Sequence, residues 1–175
     1  MSRRLIVNAD GFGFGAGATQ GIIDALREGQ CISSISVNVN FPEVQRLGEC
    51  LAEFPHLSVG VHLNPMVGRP CLPPQRVPSL VGPEGFFHAD KFGYLLRTGA
   101  VVLSELEAEF DAQIQTVHEL VGSRLTHIDS QGNRHLSYFD LFLALAQKWG
   151  LQRMRNNASL ICLEAPHPRR ARLRV

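Results

Sequence analysis

The sequence predicts an α/β fold built from parallel strand–helix–strand units. Three observations carry this. Short apolar runs recur along the chain, helical periodicity fills the stretches between them, and polar residues gather where three of the runs end. Strands that alternate with helices pair most simply as parallel βαβ units.

Residues 5–8 form a short apolar run entered from Arg3 and Arg4, as a buried strand would be. Gly11, Gly13, Gly15 and Gly17, interleaved with Phe12 and Phe14, make a flexible turn. Ile22, Ile23, Ala25 and Leu26 then recur at helical spacing until Gly29 ends them. Residues 32–39 alternate Ile and Val with Ser and Asn, the pattern of a strand. A helix is expected over about 43–54, ended by Pro55, and a third strand over 57–63. Residues 64–85, with Pro70, Pro73, Pro74 and Pro78 among them, read as a long loop of the functional or mobile kind. Helical periodicity returns over 103–121, where Leu106, Phe110, Ile114, Val117 and Leu120 share a face. Residues 125–129 read as a further strand, and 138–149 as an apolar helix ended by Gly150.

With 45% hydrophobic and 19% charged residues, 175 residues suit one globular domain with a sizeable core. A formal net charge of +1 gives no global field that would draw nucleic acid or an anionic membrane. No apolar run approaches the roughly 18 residues that span a bilayer. The N-terminus passes straight into a strand, unlike a secretory signal, so a cytoplasmic protein is expected. Cys31, Cys50, Cys71 and Cys162 form no C-x-x-C pair and read as reduced, mostly buried thiols. Residues 165–175 carry four arginines and close no element. They read as a domain cut off mid-fold, as a frayed terminus, or as a basic patch for a partner.

Asn8 and Asp10 end the first expected strand, His62 and Asn64 the third, and His127, Asp129 and Ser130 the later one. In parallel α/β folds the strand C-termini converge on one face, where ligands bind. A carboxylate and imidazoles converging there can bind a divalent metal or act as a general acid–base pair. Each residue taken singly also reads as an ordinary polar cap on a turn. The glycine-rich turn matches a phosphate-binding loop only in part. Position 16 is Ala, and residues 36–40 offer no acidic group for a ribose. The glycines read better as letting backbone approach a site closely. His56, His88, His118 and His167 read as surface residues. No Ser or Cys sits in a nucleophile-elbow context.

Leu5-Ile6-Val7-Asn8-Ala9-Asp10, followed by Phe12-Gly13, resembles the opening signature of the YdjC-like carbohydrate deacetylases. That is the chitooligosaccharide deacetylase family, which includes hopanoid-biosynthesis relatives. Gly60-Val61-His62-Leu63-Asn64, Gly68-Arg69-Pro70, Leu80-Val81 with Gly85-Phe86-Phe87, and Thr126-His127-Ile128-Asp129-Ser130 follow in the family's order from residue 3 to about residue 155. The resemblance implies a deformed (β/α) barrel and a metal-dependent hydrolase that removes an N-acetyl group from an amino sugar or related glycan. A divalent metal, magnesium or zinc, polarises the acetyl carbonyl and activates water, and an aspartate is the general base. By position the resemblance implies Asp10 as the base and places His62 and Gln131 at metal positions. It sets Asn8, Asn64, His127, Asp129 and His135 along the substrate site.

Two positions depart from the family pattern. Gly11 stands where a second aspartate ligand is usual, and Gln131 where a histidine ligand is usual. Metal binding is therefore expected to be weakened. Gln131 and Asn133 can instead hydrogen-bond sugar hydroxyls, so a catalytically inactive glycan-binding module is the alternative. The family is longer, so the barrel is expected to be incomplete, with its C-terminal third missing. A single partial barrel domain over 1–164 is then followed by the basic 165–175, and a truncated fragment is the third reading. Uncovered sheet edges leave a homo-oligomer open. The expected partner is a small N-acetylated sugar or glycan, with no nucleic acid and no membrane span.

Overall fold

The computed structural model describes residues 5–29 and 31–155, apart from the side chains of Asn133, His135 and Leu136. Residues 165–175, Cys162 and His167 lie outside the described residues. Five strands form one sheet: β1 (Asn8–Phe12), β2 (Ser34–Val37), β3 (Ser58–Leu63), β4 (Leu125–Ser130) and β5 (Arg153–Met154). Their spatial order is β1-β2-β3-β4-β5, and each pairs in parallel with the one before. The α/β class and the parallel sheet expected from the sequence are therefore present. The strand order never reverses, unlike that of a doubly wound sheet.

Five helices connect and cover the strands: α1 (Ala16–Arg27), α2 (Leu47–Glu53), α3 (Phe92–Arg97), α4 (Leu103–Val121) and α5 (Phe139–Lys148). The helix expected over 43–54 begins as a 3-10 turn at Pro42–Arg46 before α2. Period-two alternation gives the sheet two unlike faces. Ile35, Val37, Val59, Val61, Leu63 and Ile128 point one way. They join Phe110, Ile114 and Val117 of α4 and Phe142 and Leu145 of α5 in one buried core. Ser34, Ser36, His62 and Asp129 alternate with them and are buried on the other face.

The sheet is also strongly curled. Arg155, one residue past β5, reaches Asp10 on β1. In a flat sheet the outer two of five strands would stand about 19 Å apart.

Several local expectations change. The first strand is not 5–8 but Asn8–Phe12, because pairing with β2 starts at Asn8 opposite Ser34. Leu5 and Ile6 are left 82% and 75% exposed. The polar Asn8 and Asp10 belong inside the strand because they face the polar side. Of the cysteines, Cys50 is buried, whereas Cys31 and Cys71 lie in exposed turns, and all three are free thiols. The segment after β3 is held rather than loose. Glu109 accepts the backbone N–H groups of Cys71 and Leu72 at 2.9 and 3.0 Å, and Glu105 accepts that of Ser79 at 2.8 Å. No helix among the described residues is long and apolar enough to cross a membrane.

Candidate metal and catalytic site

The parallel register sets His62 of β3 directly beside Asp129 of β4, with both side chains on the polar face. His62 Nδ1 lies 2.6 Å from Asp129 Oδ1, and the two residues are 4% and 2% exposed. A carboxylate only accepts, so Nδ1 carries the proton in this pair. Nε2 then points out of the pair and lies 3.0 Å from Oε1 of Gln131, the first residue of a 3-10 segment after β4. A carboxylate behind an imidazole fixes its tautomer and orientation, the usual support of a metal-ligating histidine.

Ser36 of β2 joins the strands. Its hydroxyl donates to Asp129 Oδ2 at 2.9 Å and accepts from Asn8 Nδ2 at 2.8 Å. Asn8 Nδ2 also donates to Asp10 Oδ1 at 2.5 Å. The Arg155 guanidinium closes the ring, with Nη2 2.5 Å from Asp10 Oδ1 and 3.0 Å from Asp129 Oδ2. Burial alone would raise the Asp10 carboxyl. The hydrogen bonds from Arg155 and Asn8 outweigh it and hold the group below the usual carboxylate range.

His127 sits one layer deeper. Its Nε2 lies 3.3 Å from Ser36 Oγ and its Nδ1 2.8 Å from Thr126 Oγ1. Burial pushes this imidazole below the ordinary histidine range, against the opposing pull of the Asp129 charge. The ring reaches β2 from β4 by crossing β3 at Gly60. A Cβ there would stand 2.3 Å from His127 Nε2, so only glycine leaves the path open.

The structure thus brings together Asp10, His62, Asp129 and Gln131, with Asn8 and His127 supporting them through Ser36. Asn64, expected among the substrate-binding groups, makes its side-chain hydrogen bonds within the segment after β3 and to Asn40. Its Oδ1 accepts from the N–H groups of Met66 and Val67, and its Nδ2 donates to Val67 O and Asn40 Oδ1. Both donors and both acceptor sites of its amide are met there. The side chain of His135 lies outside the described residues.

Sequence reasoning missed Ser36, Gly60 and Arg155. The alternation of Ser34 and Ser36 with Ile35 and Val37 is a signal for the first. A two-residue strand gives no periodicity to announce Arg155.

The donor set fits a divalent cation. Asp10, His62 and Asp129 each place one ligand atom within 4.8 Å of the others, and hard oxygen with imidazole nitrogen suits magnesium or zinc. Gly11 contributes no side chain. A Cβ there would meet only Ala18 and Ile22 at 3.8 and 3.9 Å, ordinary contact distances. A cleft of about 440 Å³ lined by Leu26, Ile32, Phe54 and Leu57 opens at the N-terminal ends of β2 and β3, away from this cluster.

Sheet and cluster together place the molecule among α/β proteins whose chemistry sits at the carboxyl ends of parallel strands. Residues 4–174 match the family described as YdjC-like protein, and the chain belongs to that family. A carbohydrate deacetylase of Halalkalibacterium halodurans is 34% identical over 150 residues, covering 85% of this chain and 62% of that protein. The Homo sapiens carbohydrate deacetylase is 34% identical over 160 residues, covering 87% and 49%. A chitooligosaccharide deacetylase of Yersinia pestis is 32% identical over 153 residues, covering 86% and 58%. A crystal structure from Enterococcus faecalis V583, described as a candidate cellobiose-phosphate cleavage protein, superposes with a TM-score of 0.76 at 35% identity. That match covers 86% of this chain and 57% of the other. The chain therefore spans between 49% and 62% of the length of the three relatives named.

Proposed function

We propose that this chain carries the reaction centre of a carbohydrate deacetylase, which hydrolyses the N-acetyl amide of an amino sugar or related glycan. The observation that carries this is the Asp10, His62 and Asp129 group at the strand ends of a YdjC-like chain. In the reaction water adds to the amide carbon, the C–N bond breaks, acetate leaves, and the sugar amine takes up a proton. Asp10 is the general base. Its hydrogen bonds from Asn8 and Arg155 both fall on Oδ1, which leaves Oδ2 to take the proton from water. With its side chain 38% exposed, Asp10 is the member of the group that substrate and water can reach.

A divalent metal, magnesium or zinc, would be held by His62 Nε2 and Gln131 Oε1 with a neighbouring carboxylate. When bound it supplies polarisation of the amide carbonyl. Asp129 orients His62 through Nδ1, and Ser36 and His127 steady Asp129 from below. By position in the family pattern, Asn8 and His135 are taken as substrate-binding residues. The consecutive strand order and the curl that brings Arg155 to Asp10 support reading the sheet as five strands of a deformed (β/α) barrel. On this reading residues 1–164 form one partial barrel domain, acting in the cytoplasm on a small N-acetylated sugar.

A second reading, glycan binding without hydrolysis, is favoured by Gly11 and Gln131 at positions where the family carries metal ligands. Acetate release from diacetylchitobiose, with magnesium or zinc supplied, separates the two. Release by the native chain that Asp10→Asn abolishes is the expected result. Heat of sugar binding with no acetate would favour the second reading, and neither heat nor acetate would sink both.

A further inference from the structure

We propose that Arg155 is a resident cation that competes with divalent metal for the Asp10–Asp129 pair, so that metal enters only when the guanidinium leaves. The inference rests on reading this group as a metal site. It concerns what the chain itself already puts there.

One nitrogen of Arg155, Nη2, spans the two carboxylates at 2.5 and 3.0 Å. A magnesium or zinc ion bonded to either oxygen would lie about 2.0–2.2 Å from it. An ion so close to these oxygens would crowd Nη2, and two cations at such separation repel each other. The rest of the donor set sharpens the conflict. Gly11 offers no ligand, Gln131 offers a neutral oxygen, and His62 a neutral nitrogen. Asp10 and Asp129 are therefore the carboxylates from which the metal must take its one anionic ligand, and both are paired with the same arginine.

Arg155 is also placed to leave. It lies one residue beyond the two-residue edge strand β5, tied there by its N–H to Ile128 O at 3.2 Å. Its side chain is 27% exposed, so a displaced guanidinium has solvent to enter. The departure breaks charge-assisted hydrogen bonds to two carboxylates. That cost is subtracted from the affinity of any metal that takes its place.

Competition between zinc and a chromophoric chelator tests this on the full chain as wild type, Arg155→Gln and Arg155→Lys. The glutamine variant is expected to bind zinc on the order of 10-fold more tightly than wild type, the scale of a change beside a metal ligand. The lysine variant should fall between them, because it keeps the charge but loses the planar, rigidly directed N–H groups with which Nη2 bridges both oxygens. The native protein supplies a second readout that needs no variant to fold. Phenylglyoxal labelling of Arg155, followed by peptide mass, should quicken when zinc is added, while labelling of Arg27, paired with Glu53 on the surface, should not change.

Zinc affinity unchanged or weaker in Arg155→Gln, or Arg155 labelling indifferent to zinc, would overturn the proposal and make Arg155 a fixed support of Asp10. The metal reading would survive that result. Failure of every variant to bind zinc would overturn both together.

Discussion

Two carboxylates are buried among the described residues, Glu109 on α4 and Asp129 on β4, and they are satisfied in opposite ways. Glu109 accepts from two backbone N–H groups, of Cys71 and Leu72, and from the Gln113 amide at 2.8 Å. Gln113 in turn brackets Asn64, accepting its N–H and donating to its C=O, both at 2.9 Å. These partners are neutral and mostly main chain, so the cluster fastens the segment after β3 onto α4. Asp129 instead takes an imidazole, a hydroxyl and a guanidinium. Those partners can rotate or be displaced. Burial alone therefore does not separate the two carboxylates; the chemical kind of their partners does.

The comparison breaks most sharply at Glu109. Glu109→Ala strands buried donors on the loop, and each unsatisfied donor costs about 1–3 kcal/mol. A loss of roughly 3 kcal/mol or more in urea unfolding is expected, against a smaller loss for Asp129→Asn. Equal losses would make the two clusters the same kind of object. Gly60→Ala tests how the Asp129 side is supported. It drives a methyl into His127 and should cost roughly 1–3 kcal/mol by strain. Adding His127→Ala should recover part of that loss, and a fully additive double mutant would mean the ring does not cross there.

A third contrast is in metal affinity. Asp129→Asn should weaken zinc binding roughly 10- to 100-fold by loosening His62, and Glu109→Gln should leave it unchanged. Adding potential ligands with Gly11→Asp and Gln131→His should raise affinity, and position 11 has ordinary room for the new side chain.

The smallest effect is in pH dependence, where the two sides have opposite sign. Burial raises the Glu109 carboxyl above the ordinary glutamate value of 4.5, its hydrogen bonds notwithstanding. The native state then holds more protons than the unfolded chain just above pH 4.5, so this group's contribution falls as pH rises through its folded value. His127 is depressed below 6.5 by burial. Just below pH 6.5 the unfolded chain binds more protons, so stability falls as pH drops through that window. Urea midpoints between pH 4 and 8 should show the first slope vanish in Glu109→Gln and the second in His127→Ala.

Much of the fold was legible locally. The helix expected over 103–121 coincides with α4, because an apolar stripe at helical spacing runs from Leu106 to Val117, although Leu120, expected on the same face, is 46% exposed. Strands 32–39 and 57–63 contain β2 and β3 for the equivalent reason, period-two alternation and an apolar run. The short α3 and β5 carried too few residues to show any period. Asp10, His62, Asp129 and Gln131 were nameable because polar residues at apolar strand ends stand out, and because a family resemblance placed them. Asn64 has the same sequence signature as His62, two residues away, yet it serves the loop. No local pattern distinguishes the two.

What the sequence by itself determined is the local period of each element and the polarity of each strand end, since these depend on neighbours a few residues apart. The tertiary structure decided the start of β1, the crossing of His127 over Gly60, and the meeting of Arg155 with Asp10. Each depends on residues 26 to 145 positions apart, joined by strand pairing and by the curl of the sheet. Contacts at that separation leave no periodic trace along the chain, so they could be read only once it had folded.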